Sequence, residues 1–354
     1  MARKVLYYGG DIITADRDVY AAALLTDGGR VLAVGEPDAL IQRAGDDVEP
    51  CDLQGATLLP GFVDGQASLL HLAGHQAQPG YLQSVAQLQR AQRALLLRGV
   101  TTVGSCCRTP ADFTLLRTAA GQGLVCTDVQ ASIHIDIAEQ VLPQNAEYLG
   151  SGQRCGLGRL RIASLYIVLD RPDRYRDQEL RRIVQYSLAR HMQLVAHCQS
   201  PQLARQFADN FAAALQKSTE CCTYRPVITC PQPLDVRALS SSALQFAGAP
   251  SPLPEALPRP LSAMRRLILG EVLPLQALKI AAYRPAYLYF EEDQKGILQP
   301  GARADLVLLS DNPLKVRPNE LGDIRVQSVI KNGEQLHLFA QSTAGAVHQT
   351  SPHR

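Results

Sequence analysis

Three polar residues of this sequence follow apolar runs, at positions where strands would end. His197 comes after one such run, and His134 and Asp136 alternate with isoleucines in another. Imidazole and carboxylate groups bind divalent metals and act as general acids or bases. Because residues i and i+2 of a strand share a face, His134 and Asp136 should point the same way. A site formed by His134, Asp136 and His197 is one hypothesis, and histidines satisfied inside a core are the commoner alternative.

Two weaker patterns could also carry chemistry. Cys106 ends an apolar run, so a thiol activated by an imidazole is one interpretation, and an inert buried cysteine is the commoner one. His71 and His75 have the i, i+4 spacing of two ligands on one helical face. Gly74 and the lack of a glutamate partner favour two surface histidines instead. Nothing in the sequence specifies a phosphate-binding loop or a Ser-His-Asp triad.

The elements that would position these residues alternate through the middle of the chain. Helix-like segments at 83–98, 178–190 and 202–217 separate short apolar runs, and such alternation is typical of parallel strands with crossover helices. We therefore predict an α/β fold with a TIM-like (β/α) barrel in which one strand is unclear. The predicted strands are residues 57–64, 100–106, 125–135, 161–170, 193–199 and 227–230.

The two ends of the chain have a different pattern. Residues 4–15 favour a strand, and residues 22–35 favour a hairpin around Asp27-Gly28-Gly29. Residues 304–310 favour another strand, and residues 326–339 favour a hairpin around Asn332-Gly333. Since neither end alone can bury a core, we predict one composite β-sandwich of residues 1–56 and 296–340. The barrel then occupies residues 57–295. The polar residues 341–354 are predicted to be a mobile tail.

Composition limits the function classes. The formal charge is only +2, with no basic stripe, which argues against nucleic acid and anionic membranes as partners. No stretch approaches the roughly 20 apolar residues of a membrane span. Nine cysteines without zinc-type spacing indicate reduced thiols, so we predict a cytoplasmic location. A small-molecule ligand and a homo-oligomer are both compatible with these features.

Three motifs resemble one known family. Residues 51–64, with Leu-Pro-Gly-Phe-Val-Asp at 59–64, are similar to the amidohydrolase-superfamily segment that leaves a sandwich and enters the first barrel strand. Residues 99–103 resemble that superfamily's second strand. Residues 283–307 resemble the return into the sandwich. Within that segment, the Phe-Glu-Glu-Asp-Gln-Lys-Gly run at 290–296 resembles amidohydrolase family 3, which includes N-substituted formamide deformylase-like enzymes.

The resemblance implies hydrolysis of non-peptide carbon-nitrogen bonds by metal-activated water, with the metal bound at the strand ends. The family's first strand ends in Asp-x-His-x-His, whereas here Gln66 and Ser68 follow Asp64 at the two histidine positions. The fourth strand lacks the lysine that family members carbamylate. Of the ligand positions, only that of His197 on the fifth strand is retained. Gly248 or a neighbour stands near the position of the catalytic Asp.

Two hypotheses about function remain open. One is a pseudoenzyme that binds a small molecule or a protein partner and needs no cofactor. The alternative is an active hydrolase that uses zinc at an altered site around His134, Asp136 and His197. Candidate pocket residues common to both are Asp64, Gln66, Ser68, Cys106, His134, Asp136 and His197. Catalytic zinc usually has three protein ligands, so the first hypothesis is preferred.

Overall fold

A computed structural model describes residues 4–45, 47–65, 68–72, 84–150, 158–216, 225–232, 234–240, 246–250 and 259–336 of the 354-residue chain. These residues form a mixed α/β fold with two sheets. None of the described helices combines the length and the apolar character that crossing a membrane requires.

The strands are β1 (Val5–Ile13), β2 (Tyr20–Asp27), β3 (Arg30–Gly35), β4 (Glu49–Asp52), β5 (Thr57–Pro60), β6 (Phe62–Asp64), β7 (Val100–Cys107), β8 (Asp128–His134), β9 (Leu160–Leu169), β10 (Gln193–Cys198), β11 (Val227–Cys230), β12 (Ala247–Pro250), β13 (Leu306–Leu309), β14 (Val326–Lys331) and β15 (Glu334–Gln335). The α-helices are α1 (Pro37–Ala44), α2 (Leu69–Leu72), α3 (Val85–Leu96), α4 (Pro110–Gly121), α5 (Ile135–Val141), α6 (Asp177–Ala189), α7 (Pro201–Leu215), α8 (Pro260–Leu269), α9 (Pro274–Ala282) and α10 (Arg284–Leu288). Short 3₁₀ helices cover Pro143–Tyr148, Val236–Leu239 and Pro318–Gly322.

The first sheet contains strands from both ends of the chain. Its order is β15-β14-β13-β5-β1-β2-β3, and β4 pairs with β1. The two predicted hairpin turns are confirmed, because Asp27 pairs with Arg30 and Lys331 pairs with Glu334. The turn residues Gly28-Gly29 and Asn332-Gly333 all have positive φ, which these residue types tolerate. The ends therefore share one sheet, while the sandwich and its domain boundaries stay predictions.

The second sheet is a curled, parallel half-barrel. Its seven strands run in the order β6-β7-β8-β9-β10-β11-β12, and every pairing is parallel. Within the described residues no strand pairs β12 with β6, so the complete barrel predicted from the sequence is not seen. Helices α3 to α7 connect successive strands from β6 to β11 and cover the outer face of the sheet.

The chain passes between the two sheets at Gly61. β5 pairs with β1 and β13, whereas β6 pairs with β7 in the half-barrel, so the single strand predicted for residues 57–64 is wrong. A side chain at Gly61 would collide with Thr101 of β7. The Gly61 N–H donates to the carbonyl of Asp305 at 2.7 Å. Glycine is therefore needed where the two sheets approach each other closely.

Candidate functional site

The polar residues of interest lie at the C-terminal edge of the half-barrel, called the mouth below. Parallel strands end at one edge of their sheet, and this is the usual location of active sites in (β/α) folds. His197 pairs in register with Thr229 of β11, and His134 pairs with Tyr166 of β9. The structure thus brings His134, His197 and Cys106 to the same edge.

Both ring nitrogens of His197 have a neighbour. Nδ1 lies 2.8 Å from the hydroxyl oxygen of Thr229, and Nε2 lies 3.9 Å from the Cys106 sulfur. Burial lowers the pKa of His197 to about 4, and the positive charges of Arg108 and His134 act in the same direction. The imidazole is therefore neutral at physiological pH, and neighbouring side chains of the fold occupy its hydrogen-bonding directions.

The Cys106 thiol is also neutral. Burial raises the pKa of Cys106 to about 11, although the charge of Arg108 opposes this shift. A thiolate paired with an imidazolium needs the opposite shifts, that is, a lowered thiol pKa and a protonated histidine. These shifts do not favour the interpretation of Cys106 as a nucleophile activated by His197. The contact joins two uncharged groups.

The strand assignment of Asp136 is wrong. His134 ends β8 and is the N-cap of α5, so Asp136 lies in the first helical turn and does not share a strand face with His134. The Asp136 N–H donates to His134 Nδ1 at 3.3 Å, and the Asp136 carboxylate lies 3.5 Å from that nitrogen. Arg174 approaches the same carboxylate at 3.7 Å. Burial lowers the pKa of His134, and Asp136 partly opposes the effect.

Tyr166 links the two histidines and was missed by sequence reasoning. Its ring makes edge-type contacts with His134 and His197, with centroid separations of 5.0 and 5.5 Å. Burial raises the pKa of Tyr166 well above its usual range. Aromatic edge contacts of this kind contribute about 0.5–1.5 kcal/mol each. The available signal was a tyrosine inside a predicted strand, which without the register does not indicate a histidine neighbour.

The remaining predicted residues have different surroundings. Ser68 is buried, and its hydroxyl accepts the backbone N–H of Cys106 at 3.0 Å. Asp64 ends β6, and its carbonyl accepts the Tyr289 hydroxyl at 3.2 Å. Gln66 lies outside the described residues. Gly248 belongs to β12, which pairs with β11 and is the seventh strand of the half-barrel.

The donor set of the described mouth does not fit a catalytic metal. Across the described part of the chain, no three His, Cys, Asp or Glu residues lie close enough to hold an ion. The set of His134, Asp136 and His197 is not such a group. β9 has no lysine, and Thr229 of β11 offers a hydroxyl beside His197. A zinc ion with three protein ligands has no matching cluster in these residues.

A buried ionic network lies at the opposite end of the half-barrel strands. Asp128, the first residue of β8, contacts Lys295 at 2.7 Å, Lys331 at 2.8 Å and Arg303 at 3.0 Å. Lys331 also contacts Asp305 at 2.5 Å. Burial alone would raise the pKa of Asp128, but the three cations outweigh burial and hold it well below its usual range. The network joins the half-barrel to β13 and β14.

The network extends through Glu291. Glu291 contacts Lys295 at 2.8 Å and Arg161 at 3.6 Å, and it accepts a hydrogen bond from Gln130 at 3.0 Å. Arg161, near the start of β9, donates to the Gln130 side-chain oxygen at 2.7 Å. Glu291 and Lys295 both belong to the 290–296 run on which the family resemblance depends. That run therefore forms part of the junction between the two sheets.

Comparison with known proteins supports the amidohydrolase superfamily. A family model described as "Amidohydrolase family" (Amidohydro_3) matches residues 255–337, and a search of curated proteins finds no match. An uncharacterized metal-dependent hydrolase from Pyrococcus furiosus has a similar fold, with a TM-score of 0.69, 14% identity, and coverage of 88% of this chain and 100% of that chain. A Xaa-Pro dipeptidase with bound methionine has a TM-score of 0.64 and 15% identity over 94% of this chain and 99% of that chain. An Aspergillus niger ochratoxinase has a TM-score of 0.61 and 16% identity, with coverage of 95% and 96%. At these identities the structural likeness shows the fold alone.

Proposed function

We propose that this chain is a pseudoenzyme of the amidohydrolase superfamily that binds a small molecule at the half-barrel mouth and does not catalyse metal-dependent hydrolysis. The observation that carries the proposal is the environment of His197, whose two nitrogens lie beside Thr229 and Cys106. These contacts bring together at most two zinc ligands, His197 and Cys106, and no described His, Cys, Asp or Glu completes a set of three.

Charge gives a second argument. Water-activating metal sites combine several imidazole or carboxylate ligands around one point. Here the groups next to His197 are a hydroxyl, a thiol of raised pKa and the Tyr166 ring, none of which is anionic at neutral pH. A bound zinc ion would deprotonate the Cys106 thiol, but the described residues offer no carboxylate or further imidazole that completes a three-ligand set with Cys106 and His197. The family's hydrolytic chemistry thus has no donor set in the described mouth.

The exposed part of the mouth suits recognition of a small polar molecule. Asp136 is exposed and His134 is partly exposed, whereas Tyr166 and Thr229 are buried behind them. Ligand sites typically combine apolar walls with a few such polar groups. The low formal charge of the chain agrees with a small-molecule ligand rather than nucleic acid. A cytoplasmic location and a homo-oligomer belong to the same proposal.

The second candidate is an active zinc hydrolase with an altered site around His134, Asp136 and His197. It is favoured by the 3.5 Å contact of His134 with Asp136. The family-3 match and the 290–296 run support a hydrolase ancestry, including the formamide deformylase-like branch. Tyr166, which contacts both histidine rings, argues against one ion bridging them.

A hydrolysis screen separates the two candidates. The purified protein is loaded with zinc, cobalt or manganese and tested on Xaa-Pro dipeptides, N-formyl amines, N-acyl amino acids and carboxylic esters. We expect no metal-dependent turnover in the wild type, in His197→Ala or in His134→Ala. Turnover that needs metal and is lost in both histidine variants would overturn the pseudoenzyme proposal and establish the altered site.

A further inference from the structure

A cavity lies near the N-terminal ends of the half-barrel strands, away from the mouth. Its volume is about 950 Å³, and it is bounded by the end of α3, the start of α8 and the segment between β13 and β14. Arg98, Arg259 and Arg325 line it, together with the hydroxyl-bearing residues Ser262 and Ser310. This volume falls within the range of small-molecule sites, about 300–1,000 Å³.

Two of these arginines carry like charges close together. Burial lowers the pKa of Arg98, and the neighbouring positive charge of Arg259 lowers it further. Arg98 donates to the carbonyl of Ala94 at 2.8 Å, but no carboxylate in the described part of the chain forms an ion pair with Arg98 or Arg259. Arg98 and Arg259 share this wall with Arg325, Asp311 and Asp323, so the lining keeps a net formal charge of +1.

The start of α8 adds to this positive field. Arg259 is the N-cap of α8, it makes no side-chain capping bond, and the first helical turn contains no acidic residue. A cation at a helix N-terminus opposes the helix dipole and costs stability. Asp311 and Asp323 also line the cavity, yet neither forms an ion pair with its arginines in the described structure. An anion bound beside Arg259 would offset the unfavourable interaction of this cation with the helix dipole.

We propose that this cavity binds an organic phosphate. Guanidinium groups bind phosphate with paired hydrogen bonds, so one phosphate can contact Arg98 and Arg259 together. The net positive charge of the lining favours an anion. The apolar residues Leu97, Leu261 and Ile324 on the same wall suit the organic part of the ligand. The site is independent of the mouth, so it does not depend on whether the protein hydrolyses anything.

Calorimetric titration of the full-length protein tests the proposal with inorganic phosphate, phenyl phosphate and phenol as probes, at ionic strength fixed with potassium chloride. We expect saturable binding of phenyl phosphate, weaker binding of inorganic phosphate and no binding of phenol. Equal affinity for the two phosphates, or no saturable binding of either, would overturn the assignment to an organic phosphate.

Variants locate the binding. Arg98→Gln and Arg259→Gln should each weaken phenyl phosphate binding by about tenfold or more, since each removes a charged hydrogen-bonding group. Arg266→Gln is the matched control, because Arg266 is an exposed arginine of α8 that does not line the cavity. Arg259 is exposed, so its variant should fold even if Arg98→Gln does not. Equal losses in Arg259→Gln and Arg266→Gln would overturn the site.

Discussion

The two edges of the half-barrel differ in the charge state of their buried titratable groups. At the end of the strands opposite the mouth, called the base below, Asp128 is buried and ionised because Lys295 and Lys331 lie within 3 Å of its carboxylate. At the mouth, burial keeps Cys106 and His197 uncharged, with pKa values of about 11 and about 4. The base thus holds paired charges between the sheets, whereas the buried Cys106 and His197 of the mouth are neutral.

The residues that carry the family resemblance and the residues that would carry the family's chemistry lie at different ends of the half-barrel strands. Glu291 and Lys295 are part of the run at 290–296, and both lie in the base network. That network joins strands of the half-barrel to strands of the other sheet, so it constrains the fold whatever the mouth does. A sequence can therefore retain this motif while its strand ends change. The motif supports the fold and carries no information about the metal ligands.

The largest expected effect on stability comes from disrupting the ionic network at the base. Asp128→Asn removes the central carboxylate and leaves Lys295, Lys331 and Arg303 with too little negative charge in a buried site. We expect a loss of about 3–5 kcal/mol in the free energy of unfolding, as is usual when one partner of a buried ion pair is removed. Chemical denaturation at pH 7 measures this change.

The matched control is Asp173→Asn, since Asp173 pairs with Arg171 at 3.5 Å on the surface. That variant should change stability by less than about 1 kcal/mol. The folded-state pKa of Asp128 is depressed, so its stabilisation is present above the unfolded pKa of about 3.9 and is lost in stronger acid. Equal effects of the two substitutions at pH 7 would contradict the description of the base.

The next effect concerns the pH dependence of the mouth. Unfolded His197 takes up a proton near pH 6.5, but folded His197 does so only near pH 4. The unfolded state therefore gains protons first, so the His197 contribution to stability should fall between pH 6.5 and 4 and stay constant below. The contribution of this group is at most about 3 kcal/mol. Denaturation midpoints across this range, for wild type and His197→Gln, measure it.

His197→Gln should show a smaller loss of stability on acidification than the wild type. Cys106→Ser is the control because it alters the neighbour of the ring and keeps the titrating group. Its profile should follow that of the wild type. If wild type and His197→Gln lose stability in parallel from pH 7 to 4.5, then His197 is not held neutral by burial.

The smallest effect tests the hydrogen bond of the imidazole. Thr229→Val keeps the shape of the side chain but removes the hydroxyl that lies 2.8 Å from His197 Nδ1. We expect a loss of about 1–2 kcal/mol, because a part-buried polar group is left without its partner. Thr229→Ser retains the hydroxyl and should lose less. A Thr229→Val protein as stable as Thr229→Ser would show that the hydroxyl does not satisfy the ring.

Much of the fold could be predicted from local pattern. The strand at 227–230 has the predicted bounds, and Ser200 caps α7 with Pro201 in its first turn, as the sequence indicated. The strand at 57–64 failed because an unbroken apolar run gives no sign that the chain changes sheets at Gly61. Hydrophobic periodicity reports burial, and both sheets bury this segment.

The site was less predictable, since its contacts join distant parts of the chain. Asp136 was placed on a strand although an acidic residue just after a potential cap is typical of a helix start. The ionic network at the base could not be predicted from the sequence because Asp128 and Lys331 are 203 positions apart. No local spacing predicts such a pair. Only the strand register shows that Thr229 lies beside His197 and that Tyr166 lies beside His134.

The most direct test of the central claim is elemental analysis of the untagged, zinc-loaded protein after desalting, with His197→Ala as the reference. We expect far less than one equivalent of zinc, with no difference between wild type and His197→Ala, because the described mouth brings no three ligands together. One tightly held equivalent in the wild type that is lost in His197→Ala would contradict it.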